Sequence, residues 1–397
     1  MAKRLRTLRD LDVRERRVLV RVDYNVPLED GRVVDDTRIR ETLQTIQWLI
    51  EQRARIILCS HLGRPKGQVR EELRLAPVAQ TLSGLLGRSI HYVRDIVGPE
   101  AQAMARRLEP GEVGLLENLR FDPREEANDP VFARALADLA ERYVNDAFGA
   151  AHRAHASVVG VAQLLPSAAG FLMEREVAAL ERVLHSAERP FVLVLGGAKV
   201  SDKIGVIENV LPRADALLLG GGMANTFLKA CGYELGRSLV EADKVDEARR
   251  LLALAEQRGV RVELPVDVVI APSLEQPAKR RVVQVGDIPA DCAVFDIGPE
   301  TVRRFGEVIA SAKLLVWNGP MGVYEVPEFR DGTRGVAEAV ARCAGFTLVG
   351  GGDSVAALQE LGMADRVSHL STGGGATLEY LEGRELPGVA VLMEEMP

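Results

Sequence analysis

The sequence predicts an α/β protein whose strands form parallel sheets. Short runs of apolar, largely β-branched residues alternate with longer stretches in which apolar residues recur at helical spacing, and this alternation continues throughout the 397 residues. Strands and helices that alternate in this way form parallel sheets covered by helices on both faces. Most of the predicted strands also run directly into glycines or charged residues, as strands that end at a ligand site do.

The individual elements follow from these patterns. Apolar runs predict strands at residues 18–22, 55–59, 191–195, 216–219, 314–317 and 346–349. Helical spacing of apolar residues predicts helices over residues 40–53, 129–141, 243–258 and 353–361. No short-period repeat or low-complexity segment interrupts this order.

A further helix is predicted at residues 171–185. It follows a loop at residues 165–170 and ends before Pro190, where a new strand begins. Its apolar residues lie at positions i, i+4, i+7 and i+11, namely Met173, Val177, Leu180 and Leu184. We interpret this helix as a connector between two domains of similar size. The same pattern is typical of a surface helix within one large sheet, which is the alternative.

Composition and charge exclude several classes of protein. The chain has 50 basic and 57 acidic residues, a net charge of −7 and no lysine-rich run, so it lacks the positive surface that nucleic-acid binding requires. No apolar run approaches the roughly 20 residues of a membrane helix. The four cysteines lack metal-ligand spacing, and the first residues are too charged for a signal peptide. We therefore expect a cytoplasmic protein without nucleic-acid or membrane partners, and a monomer because no heptad pattern is present.

The strand ends in the first part of the chain carry arginine and histidine. The segments that contain them are RVDYNVP from Arg21, SHLGRP from Ser60, ENLRF from Glu117 and AHRAHAS from Ala151. An arginine guanidinium binds a phosphate or carboxylate through two parallel hydrogen bonds, so several arginines in one crevice suit a small, multiply charged anion. The first part of the chain is therefore predicted to bind an anionic metabolite.

The strand ends in the second part are rich in glycine and lysine instead. Glycine-rich turns at the starts of helices bring backbone N–H groups close to a phosphate chain, so this part is predicted to bind a nucleotide. Lys199 and Lys203 follow a glycine pair and lie four residues apart, so on a helix they would face the same point. Two solvated lysines on an exposed helix are the alternative.

Asp353 is the candidate metal ligand because it follows three glycines and precedes a predicted helix. Mg²⁺ is usually held by one or two carboxylates together with substrate phosphates, so a lone aspartate beside a phosphate site suits it. An ordinary helix N-cap is the alternative. The P-loop motif, the dinucleotide-binding fingerprint and the protein kinase motifs are all absent from the sequence, which disfavours a dehydrogenase in particular.

Taken together, these segments closely resemble the phosphoglycerate kinases. From Arg21 to Gly375 the sequence contains RVDYNVP, DDTRIR, SHLGRP, ENLRF, AHRAHAS, GGAKVSDKI, GGGMANTF, WNGPMGVYE, GGGDS and STGGGA, in that family's order and at compatible spacing. The departures are small: Tyr24 stands where the family often has Phe, and Ser354 where many members have Thr. Neither departure replaces a charged residue.

The resemblance implies two Rossmann-like domains with parallel sheets, joined by a hinge helix at residues 171–185. The first domain would comprise residues 1–170 together with 385–397, and would bind 3-phosphoglycerate. The second domain would comprise residues 186–384, and would bind the nucleotide. In this arrangement the last residues of the chain return to pack on the first domain.

The resemblance also implies roles for individual residues. 3-Phosphoglycerate would be bound by Asp23, Tyr24, Asn25, Arg38, His61, Leu62, Gly63, Arg64, Arg120 and Arg153. ATP or ADP would be bound by Lys199, Lys203, Gly221, Gly222, Asn318, Pro320, Glu325, Gly351, Gly352, Asp353 and Ser354, with Mg²⁺ on Asp353. The catalytic residues would be Arg38, Lys199, Gly373 and Gly374, of which the two glycines would direct a helix N-terminus at the phosphoryl group.

The activity implied by the resemblance is that of a glycolytic kinase. It would transfer a phosphoryl group reversibly between ATP and the carboxylate of 3-phosphoglycerate, giving ADP and 1,3-bisphosphoglycerate, by direct in-line transfer when the domains close. A non-catalytic nucleotide-binding protein of the same fold is the alternative. It is disfavoured because every charged residue that the transfer needs is present.

Overall fold

The computed structural model describes residues 3–395, and these form two compact units. The first unit comprises the chain up to Ala178 together with the residues from Glu385 onward, and the second runs from Ala179 to Arg384. Residues 1, 2, 396 and 397, which belong to the predicted segments 1–170 and 385–397, lie outside the described residues.

The strands are short, as is usual for α/β proteins. In chain order they are β1 (Lys3–Leu5), β2 (Arg17–Val22), β3 (Leu28–Glu29), β4 (Arg32–Val33), β5 (Arg55–Cys59), β6 (His91–Tyr92), β7 (Val113–Leu115), β8 (Arg142–Asp146), β9 (Ser167–Ala169), β10 (Phe191–Leu195), β11 (Ala216–Leu219), β12 (Arg261–Glu263), β13 (Asp267–Ala271), β14 (Arg281–Gln284), β15 (Ala293–Ile297), β16 (Leu314–Asn318), β17 (Phe346–Gly350), β18 (His369–Leu370) and β19 (Met393–Glu395).

The α-helices vary more widely in length. In chain order they are α1 (Thr37–Glu41), α2 (Leu43–Glu51), α3 (Ala76–Leu86), α4 (Pro99–Arg107), α5 (Pro123–Glu126), α6 (Pro130–Ala137), α7 (Phe171–His185), α8 (Ile204–Val210), α9 (Gly221–Ala230), α10 (Val245–Gln257), α11 (Pro299–Ala310), α12 (Asp331–Arg342), α13 (Gly352–Glu360), α14 (Gly375–Leu381) and α15 (Pro387–Ala390). None of the helices within residues 3–395 is long and apolar enough to cross a membrane.

The first unit is built on a six-stranded sheet in the order β6-β7-β5-β2-β8-β9, in which every neighbouring pair is parallel. Its central strands are apolar on both faces. Val18, Leu19 and Val20 of β2 are fully buried, as are Ile56 and Ile57 of β5. Two-sided burial of this kind is what helices on both faces of a parallel sheet produce.

The second unit contains a six-stranded parallel sheet in the order β12-β11-β10-β16-β17-β18. It also contains a three-stranded antiparallel sheet in the order β14-β13-β15, whose buried face includes Val268 and Ile270. The sequence predicted parallel sheets alone, so the antiparallel sheet is a correction. Its strands run through residues 267–297, where the sequence analysis identified no element although residues 268–271 form an apolar run.

Several predicted boundaries also need correction. The helix predicted over residues 40–53 is two helices, α1 and α2, divided at Thr42, whose hydroxyl donates to the carbonyl of Ile39 at 2.9 Å. A threonine hydroxyl bonded to the backbone in this way competes with the regular helix. The helix predicted at 129–141 is five residues shorter in the structure and that at 243–258 is three residues shorter, whereas that at 353–361 keeps its length and begins and ends one residue earlier. The predicted strands at 18–22, 314–317 and 346–349 each extend by one residue.

Helix α7 occupies the predicted residues 171–185, and the four apolar residues predicted to face inward are buried. The carboxylate of Asp146, at the end of β8, accepts hydrogen bonds from the backbone N–H groups of Leu172 (2.9 Å) and Met173 (3.2 Å), so it satisfies donors in the first turn. The division between the two units falls inside this helix, after Ala178. Its action as a hinge stays a prediction.

We predict that Gly170→Ala destabilises the first unit. A Cβ atom at Gly170 would lie 2.2 Å from Oδ1 of Asp146, so the carboxylate would have to leave the start of α7. The free energy of unfolding should fall by about 1–3 kcal/mol. Gly84→Ala is the matched control, because its Cβ atom meets nothing within 4 Å on helix α3. Urea unfolding of both variants checks the prediction, and equal stabilities would contradict it.

Candidate active site

The candidate site of the first unit lies where adjacent parallel strands end. β5, β2 and β8 are neighbours, so the residues that follow them meet at one edge of the sheet. Asp23 follows β2, and His61 comes two residues after β5. Both side chains are buried, with 7% of Asp23 and 5% of His61 exposed. We call the surface around these two residues the basic edge.

The Asp23 carboxylate is held by positive charge at the basic edge. Its Oδ2 accepts a hydrogen bond from Nη1 of Arg38 at 2.6 Å, and its Oδ1 accepts from the backbone N–H of Asn25 at 3.2 Å. Burial acts to raise the pKa of Asp23, but the charge that His61 carries when protonated, the charges of Arg38 and Arg21 and the hydrogen bond from Asn25 together hold the pKa below its ordinary value. The carboxylate is therefore ionised at neutral pH, and it fixes the position of Arg38.

His61 is uncharged at neutral pH. Burial lowers the pKa of His61 well below its ordinary value, and the guanidinium groups of Arg21, Arg120 and Arg38 lower it further, although Asp23 opposes them. Nε2 of His61 lies 3.9 Å from Oδ1 of Asp23, which is too far for a hydrogen bond. The imidazole can therefore bind a ligand by hydrogen bonding but adds no positive charge.

Three further predicted residues are connected across the basic edge. Oδ1 of Asn25 accepts from the backbone N–H of Gly63 at 2.8 Å, and the carbonyl of Gly63 accepts from Nη1 of Arg120 at 3.0 Å. Nε of Arg120 is buried without a hydrogen-bond partner in the described chain, and it forms an ion pair of 3.5 Å with Oε1 of Glu126. Arg64 and Arg153 are exposed. The edge thus combines fixed and solvent-exposed guanidinium groups, which suits an incoming anion.

Tyr24 and Leu62 are not brought to the basic edge as side chains. Both lie in the hydrophobic core, where the hydroxyl of Tyr24 shares a hydrogen bond of 2.9 Å with Thr42. Their backbone N–H groups also have partners, since that of Tyr24 donates to Ser60 and that of Leu62 donates to Asn118. We assign neither residue a direct contact with a ligand.

Sequence reasoning missed Gly149. A Cβ atom there would lie 2.3 Å from Oδ2 of Asp23 and 3.6 Å from Nη1 of Arg38, so only glycine leaves room for this ion pair. The glycine lies 126 positions beyond Asp23 in the printed sequence, and no local pattern connects the two. The sequence also gave no reason to group Arg21 with Glu125 and Ser157, which are all fully buried behind His61.

The second unit contains a cavity of about 670 Å³, within the roughly 300–1,000 Å³ range of small-molecule sites. Five predicted residues line it: Gly221, Gly222, Pro320, Glu325 and Asp353. Residues of β13 and β15, among them Val268 and Asp296, also line it. The antiparallel sheet that the sequence did not predict therefore forms part of this cavity. The mainly apolar lining with a few polar groups is typical of a nucleoside site.

A second cavity, of about 500 Å³, shares several lining residues with the first, including Gly197, Pro320 and Asp353. Lys199 and Lys203 both line it, as do Gly351, Gly352 and Gly375. Lysine ammonium groups next to a nucleoside-sized cavity are suited to the phosphates of a nucleotide. We call this second cavity the phosphate cavity.

The two lysines do not lie on one turn of an α-helix, so that prediction was wrong. A short 3₁₀ helix at Val200–Asp202 separates them, with Lys199 before it in an extended conformation and Lys203 after it. Lys199 is exposed, whereas Lys203 is buried and donates a hydrogen bond to Oδ1 of Asn318. Burial lowers the pKa of Lys203 to about 8, against the opposing charges of Asp202 and Glu382.

Asp353 is the second residue of α13, and the N-cap of that helix is Gly351, so the N-cap alternative is wrong. Burial raises the pKa of Asp353, and the nearby carboxylate of Glu325 raises it further. A cation bound to the Asp353 carboxylate would offset both the burial of its charge and its repulsion by Glu325. Ser354, by contrast, is fully buried and its hydroxyl accepts from the backbone N–H of Gly319 at 3.0 Å, so it lies behind the cavity.

The glycines beside the cavities allow backbones to approach each other. Gly221 has a φ of +67°, and a Cβ atom there would lie 2.6 Å from the carbonyl oxygen of Gly197. The N–H of Gly221 donates to Met321 and that of Gly197 to Pro320, so neither is free for a phosphate. The expectation that these turns supply backbone donors to the nucleotide is corrected at both positions.

The glycines predicted to be catalytic precede α14, which has only seven residues. The N–H of Gly373 donates to the hydroxyl of Ser371 at 3.3 Å, and Gly374 is the N-cap of the helix with a φ of +54°. Of this glycine run, Gly375 is the residue that lines the phosphate cavity. The catalytic role of Gly373 and Gly374 stays a prediction.

Comparisons with known proteins agree on one family. A family model described as phosphoglycerate kinase matches residues 8–384. The phosphoglycerate kinase of Thermomicrobium roseum is 81% identical over 391 residues, which are 98% of this chain and 100% of that protein. The solved structure of phosphoglycerate kinase from Coxiella burnetii has a TM-score of 0.88 at 42% identity, covering 98% of this chain and 99% of that chain. The structure from Pyrococcus horikoshii has a TM-score of 0.88 at 36% identity and covers 98% of each chain.

An arginine-rich strand edge in one α/β unit, and a nucleoside-sized cavity beside two lysines in another, are features of a nucleotide-dependent phosphotransferase. The comparisons narrow this class, and the chain belongs to the phosphoglycerate kinase family. It is a glycolytic, ATP-dependent kinase whose acceptor is a carboxyl group, and the family's substrates are 3-phosphoglycerate and ATP. The alternative of a non-catalytic protein of the same fold is not supported.

Lys203 should make nucleotide binding depend on pH. With a pKa of about 8, its ammonium group loses its proton as the pH rises from 7 to 9, and a phosphate chain binds the protonated form more tightly. ADP affinity should therefore fall over this range, with proton uptake on binding above pH 8. Lys203→Met should weaken binding and remove the pH dependence. Calorimetry in buffers of different ionisation enthalpy measures both effects. The control is Lys229→Met, which alters a half-buried lysine paired with Glu234 outside both cavities, and an equally flat profile there would contradict the assignment.

Proposed function

We propose that the basic edge binds 3-phosphoglycerate and that the two cavities of the second unit bind ATP or ADP. The observation that carries the first assignment is the set of donors around Asp23. Arg38 is fixed there, and Nε of Arg120 is buried without a hydrogen bond, with Oε1 of Glu126 3.5 Å away as its ion-pair partner. A buried guanidinium donor without a hydrogen bond is costly, and a phosphate or carboxylate oxygen within hydrogen-bonding distance would satisfy it. The nucleoside would occupy the larger cavity and its phosphates the phosphate cavity.

The acceptor carboxylate is already ionised at pH 7, so the transfer needs no general base. The neutral state of His61 supports a role in binding rather than in proton transfer. What remains is to align the reactants and to neutralise the charge of the transferred phosphoryl group. We assign this task to Arg38, whose half-buried guanidinium group is held at the basic edge by Asp23, and to Lys199, whose ammonium group is exposed at the phosphate cavity.

Replacing either of these two groups should lower turnover. We expect Arg38→Ala and Lys199→Ala each to reduce kcat by about 10²–10³-fold, the effect of losing one group that stabilises transition-state charge. A coupled assay of 3-phosphoglycerate-dependent ATP consumption measures this, with circular dichroism to check folding. The matched control for Arg38 is Arg40→Ala on the same helix, because Arg40 pairs with Asp36 at 2.8 Å. A folded Arg38 or Lys199 variant with nearly full kcat would refute that residue's role.

We also propose that Asp353 holds the Mg²⁺ that accompanies the nucleotide. The residues fit this ion, because the Asp353 carboxylate lines both cavities and because its pKa is raised by burial and then by the nearby carboxylate of Glu325, two effects that a bound cation would offset. When bound, Mg²⁺ supplies charge neutralisation on the phosphate oxygens. The contribution of the chain itself is to hold Asp353 at the start of α13, where both cavities meet.

Substitution of this aspartate tests the metal assignment. Asp353→Asn should raise the Mg²⁺ concentration needed for half-maximal activity by at least about tenfold, because a carbonyl oxygen replaces a carboxylate. Asp365→Asn, at an exposed position of the same unit, should leave it unchanged. A titration of activity with MgCl₂ after removal of metal by chelation measures the effect. The same half-maximal concentration in both variants would rule out Asp353 as a ligand.

Direct transfer further requires the two substrates to meet away from water, and one anion site is proposed in each unit. We therefore propose that the units close on the bound substrates. Small-angle X-ray scattering should show a smaller radius of gyration when both substrates are present than when either is present alone. An unchanged radius would contradict closure.

Location and oligomeric state complete the proposal. All four cysteines are free thiols, which fits a reducing compartment, and we propose that the protein acts in the cytoplasm as a monomer. Cell fractionation tests the location. Light scattering at micromolar concentration tests the oligomeric state, and a stable dimer mass would refute the monomer.

A further inference from the structure

Three fully buried polar side chains lie behind His61. Arg21 is on β2, Glu125 is on α5, and Ser157 is in a short π-helical segment at Ala156–Gly160. Burying a charged group is expensive unless it is paired and hydrogen-bonded, so this cluster requires an explanation. None of the three was predicted as a site residue.

The hydrogen bonds within the cluster form a chain in which Arg21 donates to Ser157 and Ser157 donates to Glu125. Nε of Arg21 donates to Oγ of Ser157 at 2.8 Å, and Oγ of Ser157 lies 2.5 Å from Oε1 of Glu125. Because the guanidinium group can only donate, the serine hydroxyl accepts from Arg21 and donates its own O–H to Oε1 of Glu125. The backbone N–H of Ser157 donates to Oε2 of Glu125 at 2.9 Å. Both oxygens of Glu125 therefore accept hydrogen bonds. Burial raises the pKa of Glu125, whereas the charge of Arg21 and the hydrogen bonds from Ser157 oppose this and favour the ionised carboxylate.

The other end of Arg21 reaches His61. Nη2 of Arg21 lies 3.0 Å from Nδ1 of His61, and Nη1 donates to the carbonyl of Val22. Since an arginine nitrogen cannot accept, Nδ1 of His61 must be the acceptor and carries no proton. The single proton of the neutral imidazole is then on Nε2.

The surroundings of His61 keep it in this state. The charged groups that face the ring are Asp23, Arg21, Arg120 and Arg38, so three of the four are cations that oppose protonation. The Nε2–H group lies 3.9 Å from the nearer oxygen of Asp23, beyond hydrogen-bonding range. It can therefore donate to an oxygen of a bound anion.

We propose that Glu125, acting through Ser157 and Arg21, is a positioning residue that fixes His61 as the Nε2–H tautomer and so presents a hydrogen-bond donor at the basic edge. Glu125 balances the charge of Arg21, and Ser157 sets the orientation of the guanidinium group. The donor would favour an ionised oxygen, as in a phosphate or carboxylate, over a hydroxyl group that needs an acceptor. The substrate part of this inference rests on the function proposed for the basic edge.

Two substitutions test the proposal at different points of the chain of hydrogen bonds. Ser157→Ala removes the hydroxyl that links Arg21 to Glu125, and Glu125→Gln removes the counter-charge. Ser157→Thr keeps the hydroxyl and should rescue. Ser83→Ala is the control, since that hydroxyl is exposed and donates to the backbone of Arg88.

The first measurement is the tautomer of His61 in the full-length, substrate-free protein, read by NMR of ¹⁵N-labelled histidine. We expect a single Nε2–H tautomer in the unaltered protein and in Ser83→Ala and Ser157→Thr, and a mixture of tautomers or a charged ring in Ser157→Ala and Glu125→Gln. The second measurement is steady-state kinetics. In Ser157→Ala and Glu125→Gln the KM for 3-phosphoglycerate should rise about tenfold, which is the effect of one lost hydrogen bond. The kcat and the KM for ATP should stay within about twofold of the unaltered protein.

The outcomes separate the inference from the proposed function. An unaltered Nε2–H tautomer in Ser157→Ala would overturn the positioning role, whatever the kinetics. A lost tautomer with an unchanged KM for 3-phosphoglycerate would support the positioning role but contradict the assignment of the basic edge to that substrate. Equal rises in the KM values of both substrates would indicate general damage and also overturn the inference. If Glu125→Gln fails to fold, the comparison of Ser157→Ala with Ser157→Thr decides.

Discussion

Both sites depend on parallel strands that end side by side. In the second unit the register pairs Leu195 of β10 with Asn318 of β16, and Asn318 in turn with Gly350 of β17, so three chain segments leave the sheet at one level. Their backbones then pass so close that Gly196 could not carry a side chain, because a Cβ atom would lie 2.1 Å from the carbonyl oxygen of Pro320. The close approach of these backbones therefore requires glycine at position 196, whether or not a ligand is bound.

Burial of charge is the second constraint, and each site meets it differently. In the first unit the Asp23 carboxylate is surrounded by guanidinium groups, so it stays ionised and holds Arg38 in place. In the second unit the Lys203 ammonium has an amide oxygen as its partner, and burial lowers its pKa towards neutrality. The basic edge is thus held in place by ion pairs within the protein. The phosphate cavity has no such pair at Lys203, and the negative charge of a bound phosphate would stabilise its ammonium group.

Much of the fold could be predicted because its signals are local. The apolar residues of α7 repeat at helical spacing, and the strand at 191–195 is a continuous apolar run, so each pattern specifies its own element. The antiparallel sheet was missed although β13 contains an apolar run, because β14 and β15 mix polar with apolar residues and no α-helix separates the three strands, so the strand–helix alternation that predicts parallel sheets is absent there. At the sites, the arginines and lysines were identified, but the spacing of Lys199 and Lys203 was interpreted as a helical turn that the structure does not contain.

The sequence by itself determined the α/β class, the helix at residues 171–185 and the motifs that indicated the family, because these depend on residue type and short-range order. Only the tertiary structure decided which groups become partners. Lys203 and Asn318 are 115 residues apart in the chain, and Ser157 is 136 residues from Arg21. A hydrogen bond needs its two atoms within about 3 Å and in line, and that geometry exists only after the strands have been placed next to one another.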